Sequence, residues 1–211
     1  MFVSRWWVAL LLCLTRVSLA AEFSADIVSR DTAGAQMGAS AKLYVAGDKV
    51  RIETPEAAAG FFLINGTAAL FVRPGQQIFT DARQSSRLTR IFIPVDRNDP
   101  CPQWRAAAQN AGVAENEWHC ELIGAAVLDG RAATESRVTS AQDVSRRWID
   151  ARIGFPIRVQ MNDGTSFTLE NIRIAAQSPE LFAIPPGYRK LDPRALIERI
   201  KHSDVWVEAP N

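Results

Sequence analysis

The sequence predicts a mainly β fold with a few helices, built on one large curved antiparallel sheet, and three observations carry that reading. From Ala41 to Ile174, short runs alternate apolar and polar residues with period two, as in Lys42-Leu43-Tyr44-Val45, Val50-Arg51-Ile52-Glu53 and Ile157-Arg158-Val159-Gln160-Met161. Tight turns separate the runs at Gly47-Asp48-Lys49, Asn65-Gly66-Thr67, Pro74-Gly75-Gln76, Leu128-Asp129-Gly130 and Asn162-Asp163-Gly164, each with a glycine able to take positive φ. Only one convincing helical stretch interrupts them.

The chain opens with a leader. Arg5 supplies a basic n-region, residues 6–14 an apolar core and Ser18-Leu19-Ala20 a small-x-small cleavage site, so residues 1–20 are predicted to be a secretory signal peptide cut after Ala20. The apolar run is well short of the roughly 20 residues a membrane span needs, and Arg16 interrupts its end. No stable membrane span is expected after cleavage. Cys13 follows Leu12 rather than a small residue, which argues against a lipidated N-terminus. About 190 residues then remain, the size of one all-β domain with a sizeable core. That domain is expected over 21–192, with a C-terminal helix and tail over 193–211. Loss of Arg5 and Arg16 takes the net charge from +1 to −1 with no block of one sign, so no nucleic-acid partner is expected.

Residues 23–29 alternate and read as the first strand, with the polar stretch 30–40 as a connection. Hairpins follow over 42–53 and 61–81. Phe61-Phe62-Leu63-Ile64 and Leu70-Phe71-Val72 are apolar on consecutive positions, as in central strands covered on both faces. Residues 84–93 place Leu88, Ile91 and Phe92 at nearly helical spacing before Pro94, a short helix. Pro102 suits the first turn of a helix that runs to Asn110 and is stopped by Gly112. A second β block is predicted at 118–127, 131–140, 145–150, 156–161 and 166–174. The chain closes through 181–188, with Arg189-Lys190 as a solvated edge, an amphipathic helix at 193–201 and a tail containing Trp206.

With Cys13 in the leader, Cys101 and Cys120 are the two cysteines of the exported chain, and a disulfide between them is the economical reading in an oxidising compartment. A pair of unpaired buried thiols is the alternative. No metal is expected, because Cys101, Cys120, His119 and His202 contain neither of the close-spaced ligand pairs of a zinc site.

The residues Phe23-Ser24-Ala25, the hairpin from Ala41 to Glu53, and Phe61-Phe62-Leu63-Ile64-Asn65-Gly66-Thr67-Ala68-Ala69-Leu70 resemble, in this order, the periplasmic lipoprotein-carrier superfamily typified by LolA and LolB. The likeness recurs in Arg147-Trp148-Ile149-Asp150, Gly154-Phe155-Pro156 and Phe182-Ala183-Ile184-Pro185-Pro186-Gly187-Tyr188. It spans nearly the whole exported chain and is nearest to the uncharacterised LolA-like domains of exported bacterial proteins. The resemblance implies an unclosed antiparallel half-barrel capped by short helices, in the periplasm, with an apolar cavity for acyl chains. Leu43, Val45, Val50, Ile52, Leu70, Val72, Val159 and Phe167 are then the cavity candidates, and the two short helices the lid. A dry core made of the same side chains is the other reading. One departure stands out. The carriers have an Arg-Pro pair in the turn after an early strand, where this chain has Ala46-Gly47-Asp48, and Arg51 is no assured replacement.

Enzymatic chemistry finds little support. No Gly-x-Ser-x-Gly elbow, His-Glu-x-x-His helix or phosphate-cradling glycine loop occurs, and Glu115, Glu117 and Glu121 read as a solvated cluster. His119 reads as a strand residue rather than a base, Trp148 as a core anchor, Asp150 as a turn residue, and Asn65-Gly66-Thr67 as a hairpin turn rather than a glycosylation site. The resulting expectation is a non-enzymatic periplasmic protein without a cofactor. It binds a lipid or an acylated protein in the concavity and acts in lipid or lipoprotein trafficking. The alternative is an interaction or sensor module with a packed interior and an envelope protein partner.

Overall fold

The computed structural model describes residues 21–55, 60–66, 68–84, 86–140 and 144–192. The leader, the predicted 193–201 helix, Trp206 and His202 lie outside the described residues. Alternation and glycine turns set the first half of the sheet: β1 (Glu22–Arg30), β2 (Ala41–Ala46), β3 (Lys49–Glu53), β4 (Phe61–Asn65), β5 (Ala68–Arg73) and β6 (Ile78–Asp81). Two helices follow, α1 (Arg87–Ile91) and α2 (Cys101–Asn110). The second half comprises β7 (Trp118–Leu128), β8 (Arg131–Ser140), β9 (Val144–Asp150), β10 (Phe155–Met161) and β11 (Ser166–Ile174), with a two-residue β12 (Arg189–Lys190) at the end.

Among the described residues these strands form one unclosed sheet in the order β12-β6-β5-β4-β3-β2-β1-β11-β10-β9-β8-β7. From β1 to β6 and from β7 to β11 each strand pairs antiparallel with the next in sequence, and β1 joins the two halves by pairing with both β2 and β11. Only β12 runs parallel to its neighbour, β6. The turn chemistry explains the hairpin registers. Leu128 pairs with Arg131, leaving Asp129 (φ 50°) and Gly130 (φ 76°) as a two-residue loop with both residues left-handed, the geometry that matches strand twist. At 74–77 the expectation needs correction: Pro74–Gln76 form a 3-10 turn, and the left-handed residue is Gln77 (φ 51°) rather than Gly75.

The helices lie across the concave face. α1 is shorter than the 84–93 span expected, because Arg83 (φ 44°) and Gln84 (φ 49°) are left-handed and the helix begins only after Ser86. α2 starts at Cys101 with Pro102 in its first turn, and it buries Trp104, Ala107 and Ala108 on one face at helical spacing. Trp104, Ile91 and Phe92 join the sheet residues Phe23, Leu43, Val45, Val50, Ile52, Ile149 and Val159 in a single core. A second, smaller cluster lies on the opposite face, where Phe61, Leu63 and Val72 pack with Leu70, Phe79, Ile184 and Tyr188. β4 and β5 are therefore covered on both faces, as their unbroken apolar runs predict. The closing segment, a 3-10 turn at Pro179–Phe182 followed by extended chain to Tyr188, supplies the outer cover.

Candidate ligand recess

Register decides which predicted cavity residues share a face. Val50 pairs with Ile64 and Ile52 with Phe62, whereas Leu63 pairs with Leu70 and Phe61 with Val72. Since side chains alternate along a strand, Leu70 and Val72 point away from the lid and belong to the outer cluster. Their inclusion as cavity candidates is corrected accordingly. Leu43, Val45, Val50, Ile52 and Val159 are buried together beneath the helices, with Phe167 at the border of that cluster and its ring 6.4 Å from Phe92. Arg51 also faces outward. Its guanidinium lies 3.6 Å over the Phe61 ring, pairs with Glu53 at 2.8 Å and donates to the Leu181 carbonyl at 3.0 Å, so it takes no part in holding the lid.

Other groups seat the lid. The Trp104 indole N–H donates to the Ile91 carbonyl (3.2 Å), binding α2 to α1, and the Arg147 guanidinium lies 4.5 Å over the indole ring. Arg147 is itself buried and donates through Nε to Ser145 Oγ (3.1 Å). Buried Gln84 bridges the helices: its Nε2 donates to the Thr89 carbonyl (3.3 Å) and its Oε1 accepts from Asn110 Nδ2 (2.9 Å). The disulfide Cys101–Cys120 fastens the first residue of α2 to β7. The cavity beside Trp104 is small, about 30 Å3, close to the room one water needs. The middle of the concavity is filled by the protein's own side chains.

One end is different. A recess of about 350 Å3 opens where the β2–β3 turn, the loop after α1 and the β9–β10 turn meet. Ala21, Val45, Val95, Ile153 and Phe155 line its apolar part, and Asp96, Arg97, Asn98 and Arg152 its rim. The floor continues into the core, since Phe155 lies edge-on to Phe23 (5.2 Å) and parallel to Phe92 (6.4 Å). Asp150 shapes one wall. Its Oδ1 accepts the backbone N–H of Arg152 (2.8 Å) and Ile153 (3.0 Å), and its Oδ2 accepts from Arg131 Nε (2.5 Å), so it acts as the turn residue expected. Gly154 (φ 60°) follows, and a Cβ there would sit 3.2 Å from the Val95 carbonyl, which accounts for glycine in the Gly154-Phe155-Pro156 motif. Val95 N–H donates to the Gly154 carbonyl (3.1 Å), and Arg97 Nη1 to the Ala151 carbonyl (3.1 Å), pinning the loop to the turn.

Of the predicted cavity residues, Val45 alone reaches this recess. Sequence reasoning missed Arg97 and Arg152 because loop residues carry no periodicity, missed Trp104 because it did not stand out from its segment, and noted Arg147 only within a motif, without its contact to Trp104. Trp148, expected as a core anchor, is partly buried at the edge of the core beneath Arg146 (5.2 Å), while the fully enclosed tryptophan is Trp104. His119 is exposed, Glu121 pairs with Arg137 (3.1 Å), and no group of three His, Cys, Asp or Glu residues suited to a metal occurs among the described residues.

An open antiparallel sheet with its helices inserted between the two meanders and laid across the concave face decides the architecture. The fold is an unclosed antiparallel half-barrel capped by short helices. No family model matches the chain, and no curated protein matches it. Among solved structures it is similar to PNGF-II, with a TM-score of 0.52 and 9% identity over 87% of this chain, which spans 33% of the PNGF-II chain. An uncharacterized conserved protein from Thermus thermophilus gives a TM-score of 0.48 and 12% identity, covering 82% of this chain and 91% of that one. A LolA superfamily protein from Nitrosomonas europaea gives 0.37 and 11%, covering 78% and 90% respectively. At these identities the likeness concerns the fold alone. No described helix is long and apolar enough to cross a membrane.

Proposed function

We propose that this is an exported, periplasmic, non-enzymatic binding protein whose ligand is an amphiphile with an acyl chain, such as a lipid or an acylated protein, held at the open end of the half-barrel. The recess carries the proposal: its volume of about 350 Å3 lies in the range of about 300–1,000 Å3 for small-molecule sites, and it combines an apolar floor with rim arginines. Burial of alkyl chain against Val45 and Phe155 supplies affinity, while Arg97 and Arg152 favour an anionic head. Phe92 lies 6.4 Å from Phe155 of the floor, so a chain longer than the recess would have to displace the α1 segment, while the disulfide keeps α2 tied to β7.

Native mass spectrometry of the protein isolated from its periplasm without detergent, followed by organic extraction, tests this. The expected result is a discrete added mass that extracts as lipid, together with uptake of a fluorescent fatty acid that Val45→Trp abolishes. A bare polypeptide that takes up no fatty acid refutes it. The second reading, an interaction module contacting an envelope protein, is favoured by one observation: the centre of the concavity is filled by Trp104, Phe92 and their neighbours. One stoichiometric protein partner without lipid would support it.

A further inference from the structure

The two edges of the sheet are unlike. One ends in β12, two exposed basic residues in length, the short charged kind of edge that resists pairing. The other ends in β7, eleven residues long, which among the described residues is paired on one side only, to β8. Its other side offers a row of backbone N–H and C=O groups. Three of the five exposed large hydrophobic residues among those described lie on this strand: Leu122 (51% exposed), Ile123 (47%) and Val127 (76%). From Leu122 to Leu128 it carries no charge and no proline.

We infer that two copies of this chain associate edge to edge through β7, antiparallel across a two-fold axis. The strand is complementary to itself. With Gly124 opposite Gly124, bulky Leu122 faces small Ala126, Ile123 faces Ala125, and His119 faces Asp129. Moving the axis to Ala125 would set Glu121 against Asp129, two like charges, which disfavours that register relative to the first. Association partly shields the three exposed side chains from water and pairs the backbone groups on the open side of β7. The recess, at the β9–β10 turn, lies at the same end of the sheet as Val127 but is separated from the β7 edge by β8 and β9, so the pairing leaves it uncovered.

Sedimentation equilibrium of the full exported chain reads the outcome. The expected mass is twice that of the chain, with those amides of 122–128 that point away from β8 slow to exchange with deuterium only at concentrations where the dimer forms. Ile123→Lys combined with Val127→Lys should return the monomer mass with an unchanged circular dichroism spectrum, whereas Met37→Lys, on a separate exposed loop, should leave the dimer intact. A monomer at all concentrations, a dimer that survives the double substitution, or protection that maps elsewhere than β7 overturns the inference. Because deuterium exchange reads the native chain, it decides the matter even if the double variant misfolds.

Discussion

Replacing Trp104 with alanine tests the closed lid directly. The side chain is 1% exposed, wedged between α1 and the sheet, and removing an aromatic from such a site costs about 3–5 kcal/mol in lost transfer energy and residual cavity. Two further losses accompany it: the Ile91 carbonyl loses its donor, worth about 1 kcal/mol, and buried Arg147 loses the ring it covers, worth about 1–2 kcal/mol. These terms overlap, so the expected total is about 4 kcal/mol, a large part of the 5–15 kcal/mol typical of a domain. Trp104→Phe keeps a ring in place and loses the donor, so it should cost about 1–2 kcal/mol. Urea unfolding followed by far-ultraviolet circular dichroism gives both values from the midpoint at constant slope. A loss under about 1 kcal/mol for Trp104→Ala, with unchanged slope, would mean that α2 does not bury its tryptophan in solution, and the closed arrangement of the lid would fail with it.

Two other outcomes bear on the scaffold. Converting both Cys101 and Cys120 to alanine opens a loop of sequence separation 19 and should lower stability by about 3 kcal/mol on the chain-entropy account. Equal urea midpoints for the oxidised protein and the double variant would contradict it. On the convex face, the hydrogen bond from Lys42, then that from Asn171 Nδ2 (2.7 Å), holds the Asp26 carboxyl below its ordinary value near 3.8. A depressed folded value contributes stability above pH 3.8 that is lost as pH falls through the folded value. The wild-type urea midpoint should therefore drop more steeply than that of Asp26→Asn on acidification below about pH 4, and parallel curves would show that the contact contributes nothing.

Much of the strand pattern was legible because the signals are local. The predicted spans 131–140 and 166–174 coincide with β8 and β11, and the Asp129-Gly130 loop follows from residues that tolerate positive φ. The pairing of Cys101 with Cys120 is likewise present. Local signals mislead where a buried contact overrides them: the left-handed pair Arg83-Gln84 shortens α1 because the Gln84 side chain is turned inward to Thr89 and Asn110. Arg147 is comparable, a charged residue in an alternating strand that is buried against a tryptophan from a distant helix.

The sequence by itself determined most of the strands and hairpin turns and pointed to the cysteine pair, since period-two alternation and turn chemistry act within a few residues. Only the tertiary structure decided that Leu70 and Val72 face outward, that Val45 and Phe155 open onto a recess, and that Arg97 and Arg152 stand at its rim. The physical reason is that a strand covered on both faces is apolar at both parities. Its periodicity names no inner side until register, carried from strand to strand across the sheet, and the closing segment over Phe61 and Leu63 assign one.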